Sequence, residues 1–103
     1  MNKALEDVLA ERERQKTQEG WSATHDDSHT DGALAIAAGC YALSTYTHEE
    51  YFPPRWPGVP KRWPWSEHWW KPRTYREDLV RAGALILAEL ERLDRAAPRG
   101  SEG

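Results

Sequence analysis

Cysteine is almost missing from this chain. Its one copy, Cys40, has no intramolecular partner, which excludes a disulfide-stapled secreted scaffold and fits a reducing compartment. There is no excess of basic charge. The net charge is −3, with 14 Lys and Arg spread among 17 Asp and Glu, so no broad basic face for long nucleic acid is expected. Long apolar runs are absent: the strongest, residues 82–88, falls far short of the roughly 20 residues that cross a bilayer. The N-terminal residues are charged and carry no apolar signal segment. A protein of the cytoplasm, with no membrane partner, is expected. No P-loop, glycine-rich dinucleotide fingerprint or ordered Ser/His/Asp set is present.

What is present points to an all-α fold. With 39% hydrophobic and 30% charged residues the chain can fold, around a core limited by its 103 residues. One helical domain is expected over residues 1–98, with a flexible polar tail at 99–103. Three main helices are expected. The first covers residues 1–18, with Leu5, Val8 and Leu9 at helical spacing, and Gly20 ends it. A polar loop, residues 21–31, follows, and Thr30 or Asp31 caps the second helix, residues 32–46. Small residues on that helix (Ala33, Ala35, Ala37, Ala38, Gly39, Ala42) permit close approach of another backbone. The last helix begins at a capping box, Thr74 with Glu77. Its stripe Leu79, Gly83, Ile86, Leu90 and Leu93 is widened by Val80, Ala84 and Leu87. A helix apolar on more than one face is central or meets a second chain, so a homo-oligomer, dimer or larger, is expected.

Between the second and third helices lies a long irregular insertion, residues 47–73, with six of the seven prolines and five of the six tryptophans. Proline fixes φ and removes donors, so regular structure is confined to short pieces such as a helical turn at residues 66–70. Here Trp56, Trp63, Trp65, Trp69 and Trp70 alternate with Arg55, Lys61, Arg62, Lys71 and Arg73. Aromatic faces stack on nucleobases and basic side chains meet phosphates, so the loop suits a nucleotide-sized anion. A short chain also uses tryptophan as core filler, and two or three are expected to serve that way. The basic-flanked end, residues 63–73, is the expected ligand end. Residues 53–60 are expected to be a spacer or an inter-subunit contact.

Two further clusters carry chemistry. His25, Asp26, Asp27, His29 and Asp31 place two imidazoles and three carboxylates in seven residues. They suit helix capping first, ligand contact second and a divalent ion such as Mg or Mn third. On the first helix, residues 11–16 read as a solvated charged face, unless Arg12, or the pair Arg14 and Gln15, turns inward to a phosphate. Cys40 sits among small apolar residues and reads as a buried, inert thiol.

The chain resembles a family of small phage and prophage proteins. The matching pieces are ERERQ (residues 11–15), EGW (19–21), HDDSHTDG (25–32), AAGCYA (37–42), WPW with WWKP (63–72) and DLVRAGALILAELERLDR (78–95). The opening is also similar to that of phage MazG-like nucleotide pyrophosphohydrolases, which are all-α and bind magnesium through acidic helices. The second helix here has no acid from Gly32 through His48, so that catalytic set is not carried over. By analogy, the chain is similar to small phage proteins that sequester nucleotide immune signals, as in counter-defence against Thoeris or CBASS.

The resemblance, with the loop chemistry, implies a binding protein in the host cytoplasm. It would sequester a small nucleotide-derived signal, of ADP-ribose or cyclic-nucleotide type, with no catalytic residue and no cofactor. The expected ligand-binding residues are Arg12, Gln15, Trp21, His25, Asp27, His29, Trp63, Trp65, Trp69, Trp70, Lys71 and Arg73. Within that set Trp63, Trp65, Trp69 or Trp70 would stack on base. Arg12, Lys71 and Arg73 would meet phosphate, and His25 or Asp27 a ribose hydroxyl. Two alternatives stand beside it. One is a metal-dependent pyrophosphohydrolase or cyclic-nucleotide hydrolase using His25, Asp26, Asp27 and His29. The other is an inhibitor that presents the tryptophan loop to a host protein.

Overall fold

A computed structural model describes residues 2–43 and 59–97. These form helices α1 (Lys3–Gln18), α2 (Ala23–Asp27), α3 (Ala33–Leu43) and α4 (Tyr75–Ala96), with a 3₁₀ turn at Glu67–Trp69 before α4. The fold is all-α. No helix among the described residues is long and apolar enough to cross a membrane.

The helix ends follow local chemistry. Asn2 Oδ1 accepts from Leu5 N at 2.9 Å and Ser22 Oγ from His25 N at 3.3 Å. Asp31 Oδ1 accepts from Ala33 N at 3.1 Å at the start of α3. At α4, Thr74 Oγ1 accepts from Glu77 N at 3.2 Å and donates to Glu77 Oε1 at 2.9 Å. Gly20 takes φ +75° past the end of α1, a left-handed conformation that favours glycine, and Trp21 N then donates back to Gln15 O at 2.9 Å.

Residues 21–31, expected to be a loop, contain the short helix α2. Ser22 caps it, and its fully buried Asp26 is held by Arg12 of α1, a tertiary contact that supports so short a helix. The expected turn at residues 66–70 is the 3₁₀ segment. The second helix was expected to reach residue 46, and α3 is described to Leu43. Residues 44–58 and 98–103 lie outside the described residues. So do Arg55, Trp56, most of the expected spacer at 53–60 and the tail.

The core joins α3 to α4. Leu34, Ala37, Ala38, Cys40 and Tyr41 meet Ala82, Leu85 and Ala88, and the small residues on both sides let the helices approach closely. Trp21, Trp63 and Trp70 complete the cluster from outside the helices. Each tryptophan buries a large area, which offsets the few long aliphatic side chains. α1 crosses α4 where Val8 packs on Gly83; a Cβ at Gly83 would lie 3.2 Å from Val8 Cγ2. The apolar stripe expected on α4 is therefore not its core face. Of that stripe, Leu79, Ile86, Leu90 and Leu93 are 40–52% exposed, and only Gly83 is covered, by Val8.

Candidate functional site

The site is an aromatic cleft of about 320 Å³ lined by Glu19, Trp21, His25, His29, Trp65, Ser66 and Trp69. Its volume lies at the small end of ligand sites, which span roughly 300–1,000 Å³, so it suits a nucleoside-sized group.

Three segments bring these residues together. Gly20 turns the chain so that Trp21 lies over α2. There Trp21 and His25 stack with planes 4° apart and centroids at 5.8 Å. Trp65 and Trp69 close the other side, inclined to Trp21 by 55° and 52° at 5.4 and 6.1 Å. His29 lies 5.4 Å from Trp65. Tyr41 anchors the tryptophan segment from α3: its hydroxyl donates to Trp69 O at 3.4 Å and accepts from Lys71 N at 3.1 Å. Burial pushes the Tyr41 pKa up, so this hydroxyl stays protonated as a donor. Arg81 Nη1 donates to Lys71 O from α4.

The histidines form a relay. His25 Nδ1 lies 3.0 Å from Asp26 Oδ1, and His25 Nε2 lies 3.4 Å from His29 Nε2. Asp26 is fully buried, and its other oxygen accepts from Arg12 Nη2 at 2.8 Å.

A second, larger groove of about 510 Å³ runs between α1 and α4, lined by Arg14, Arg73, Arg76 and Arg81 with Asp7, Glu11 and Glu77. Arg76 pairs with Asp7, and Arg14 with Glu11 and Glu19. The bond to Glu11 does most to raise the Arg14 pKa, so its charge is permanent. Arg73 binds Asp78 Oδ1 through its backbone N at 2.8 Å, which leaves its exposed side chain on the groove. A small void lies between groove and cleft. Arg14, Glu11 and Arg81 of the groove meet Glu19, Trp21 and Trp69 of the cleft there, together with Gln15 and Lys71. Gln15 is buried beside that void, and its Oε1 has no hydrogen-bond partner among the described residues.

The expected site residues divide accordingly. Trp21, His25, His29, Trp65 and Trp69 line the cleft. Lys71 stands at its edge, Nζ 5.5 Å above the Trp69 ring. Arg73 belongs to the neighbouring groove. Trp63 and Trp70 are core: Trp63 Nε1 donates to Ser66 O at 3.1 Å, and Trp70 packs 4.7 Å from Tyr41. Arg12 does turn inward, but to carboxylates. Asp26 and Glu91 hold its guanidinium, and a side chain 4% exposed cannot reach a phosphate in the cleft. Asp27 faces away and pairs with Arg95 at 2.7 Å. The four-residue metal set His25, Asp26, Asp27 and His29 is thus split, and no group of three or more His, Cys, Asp or Glu gathers as a metal site among the described residues. Sequence reasoning missed Glu19, Ser66, Arg76 and Arg81. The EGW segment held a signal for Glu19; the two arginines have none before the helix crossing is known.

No family model, no curated protein and no solved structure matches the chain.

Proposed function

We propose that the protein binds and sequesters a small nucleotide-derived signal, of ADP-ribose or cyclic-nucleotide type. The observation that carries this reading is the convergence of Trp21, Trp65 and Trp69 with two histidines on a nucleoside-sized cleft. The arginine groove lies beside it, across a small void that residues of both line. The base stacks on the indoles, the histidines and Ser66 bond ribose hydroxyls, and phosphate lies toward Lys71 and Arg73. The resemblance to small phage proteins makes counter-defence in the host cytoplasm the biological setting. The test is titration of purified protein with ADP-ribose, its cyclic form and cyclic dinucleotides, followed by tryptophan fluorescence and melting temperature. Quenching and a raised melting temperature with one of them support it; no change with any at about 1 mM overturns it.

The Asp26–His25–His29 relay favours one second reading, hydrolysis of the same class of ligand. Chromatography of ligand recovered from heated protein separates the two: unchanged ligand means sequestration, new products mean catalysis.

For the exposed face of α4 we propose a second copy of this chain. Leu79, Ile86, Leu90 and Leu93 share one side of the helix. Leu5 and Leu9 of α1 lie on the far side of the Val8 contact from the arginine groove, next to that stripe. All six are 40–52% exposed, and an exposed group of large apolar side chains marks an interaction surface more often than scattered single ones do.

A further inference from the structure

We propose that His25 and His29 form a binding site for a nitrogen-preferring divalent ion, such as zinc or nickel, in the wall of the tryptophan cleft. This goes beyond ligand sequestration and does not depend on it.

The two imidazoles meet nitrogen to nitrogen. His25 Nε2 and His29 Nε2 are 3.4 Å apart. Two nitrogens bound to one tetrahedral ion at about 2.0–2.1 Å are separated by about 3.4 Å. The placement comes from the chain itself. The histidines are four positions apart, and the helical turn continues past α2 because His29 N donates to Asp26 O at 3.0 Å. Both rings are held. His25 stacks on Trp21 and His29 leans on Trp65, so little side-chain freedom is lost on binding.

The second nitrogen of His25 fits the same role. The buried Asp26 carboxylate, fixed from behind by Arg12, accepts from Nδ1. That places the proton on Nδ1 and leaves the Nε2 lone pair toward His29. A carboxylate behind a ligating histidine is the usual support of such a site.

Imidazole ligands select zinc, nickel, copper or cobalt over magnesium and manganese, which prefer oxygen. The protein supplies two ligands. Asp27 is taken by Arg95, and Cys40 is buried in the core. The remaining positions take water or an oxygen of whatever occupies the cleft.

The experiment uses the whole, chelator-treated chain titrated calorimetrically with zinc chloride and nickel chloride alone. One ion per chain is expected, with affinity reduced roughly tenfold or more in His25→Gln and His29→Gln and unchanged in His68→Gln. Far-UV circular dichroism checks the helices of each variant. Imidazole ¹⁵N shifts of the wild-type chain give a readout that needs no variant: His25 and His29 should move with zinc while His68 does not. No binding up to about 1 mM zinc, or wild-type affinity in folded His29→Gln, or shifts confined to other histidines, would overturn the proposal.

Discussion

Arg12 and Asp26 meet at 2.8 Å with side chains only 4% and 1% exposed, and this pair ties α1 to α2 beneath the cleft. Glu91 of α4 binds the same guanidinium through Oε1, 3.0 Å from Nε. Removing one member of such a pair strands the other charge without water. Arg12→Ala should therefore cost about 3–5 kcal/mol. For a domain of this size that lowers the melting temperature by roughly 12 °C or more. Thermal unfolding followed by circular dichroism checks it. A drop of under about 3 °C would mean that the pair does not tie α1 to α2.

The tryptophans should separate into two kinds. Trp63 is buried and bonded to Ser66 O, so Trp63→Ala should lose about 3–5 kcal/mol of stability in urea unfolding. Trp65 is half-buried in the cleft wall. Trp65→Leu keeps much of its apolar contact, so it should lower the melting temperature less while weakening nucleotide binding by about 1–3 kcal/mol, the worth of one stacked base. Equal stability losses with unchanged affinity would contradict this assignment.

These two kinds of tryptophan show where sequence reasoning stops. Helix ends were legible because their causes are local: Gly20 past α1, and Thr74 with Glu77 at α4. α2 was not legible, because a five-residue helix depends on Arg12 reaching Asp26 from another element. The aromatic loop and the histidine cluster announced a site, yet all five loop tryptophans look alike in sequence. Only packing against Tyr41 and α3 draws Trp63 and Trp70 inward and leaves Trp65 and Trp69 on the cleft. Arg14, Arg76 and Arg81 share a groove because Val8 crosses Gly83, a pairing that no local pattern encodes.

The exposed face of α4 gives a prediction about assembly. If a second copy covers it, Leu90→Glu places a charge within that interface and should yield monomers. Sedimentation velocity at micromolar concentration reads this directly, with wild-type dimers dissociating in the variant. Leu90 is 52% exposed in the single chain, so the fold should survive and circular dichroism should be unchanged. A wild-type monomer at that concentration would remove the second copy as the partner.

Cys40 supplies a pH-dependent prediction. It lies in the core between α3 and α4, where burial pushes the thiol up to about 11, with Arg62 opposing. The thiolate is the reactive form, so alkylation by iodoacetamide at about pH 8 should be slower by roughly 100-fold or more in the folded protein than in urea. The same shift affects stability. The folded state favours the neutral thiol, so its contribution is fully present below the ordinary value of 9.0 and is lost as the pH rises from there toward about 11. Tyr41, also raised by burial, loses stability in the alkaline range too, so the comparison must isolate the thiol. Urea midpoints of wild type and Cys40→Ala across that range do so. The wild type should fall more steeply, because alanine has no proton to lose. Parallel curves would show that the alkaline loss belongs to Tyr41, and that Cys40 is held no differently when folded.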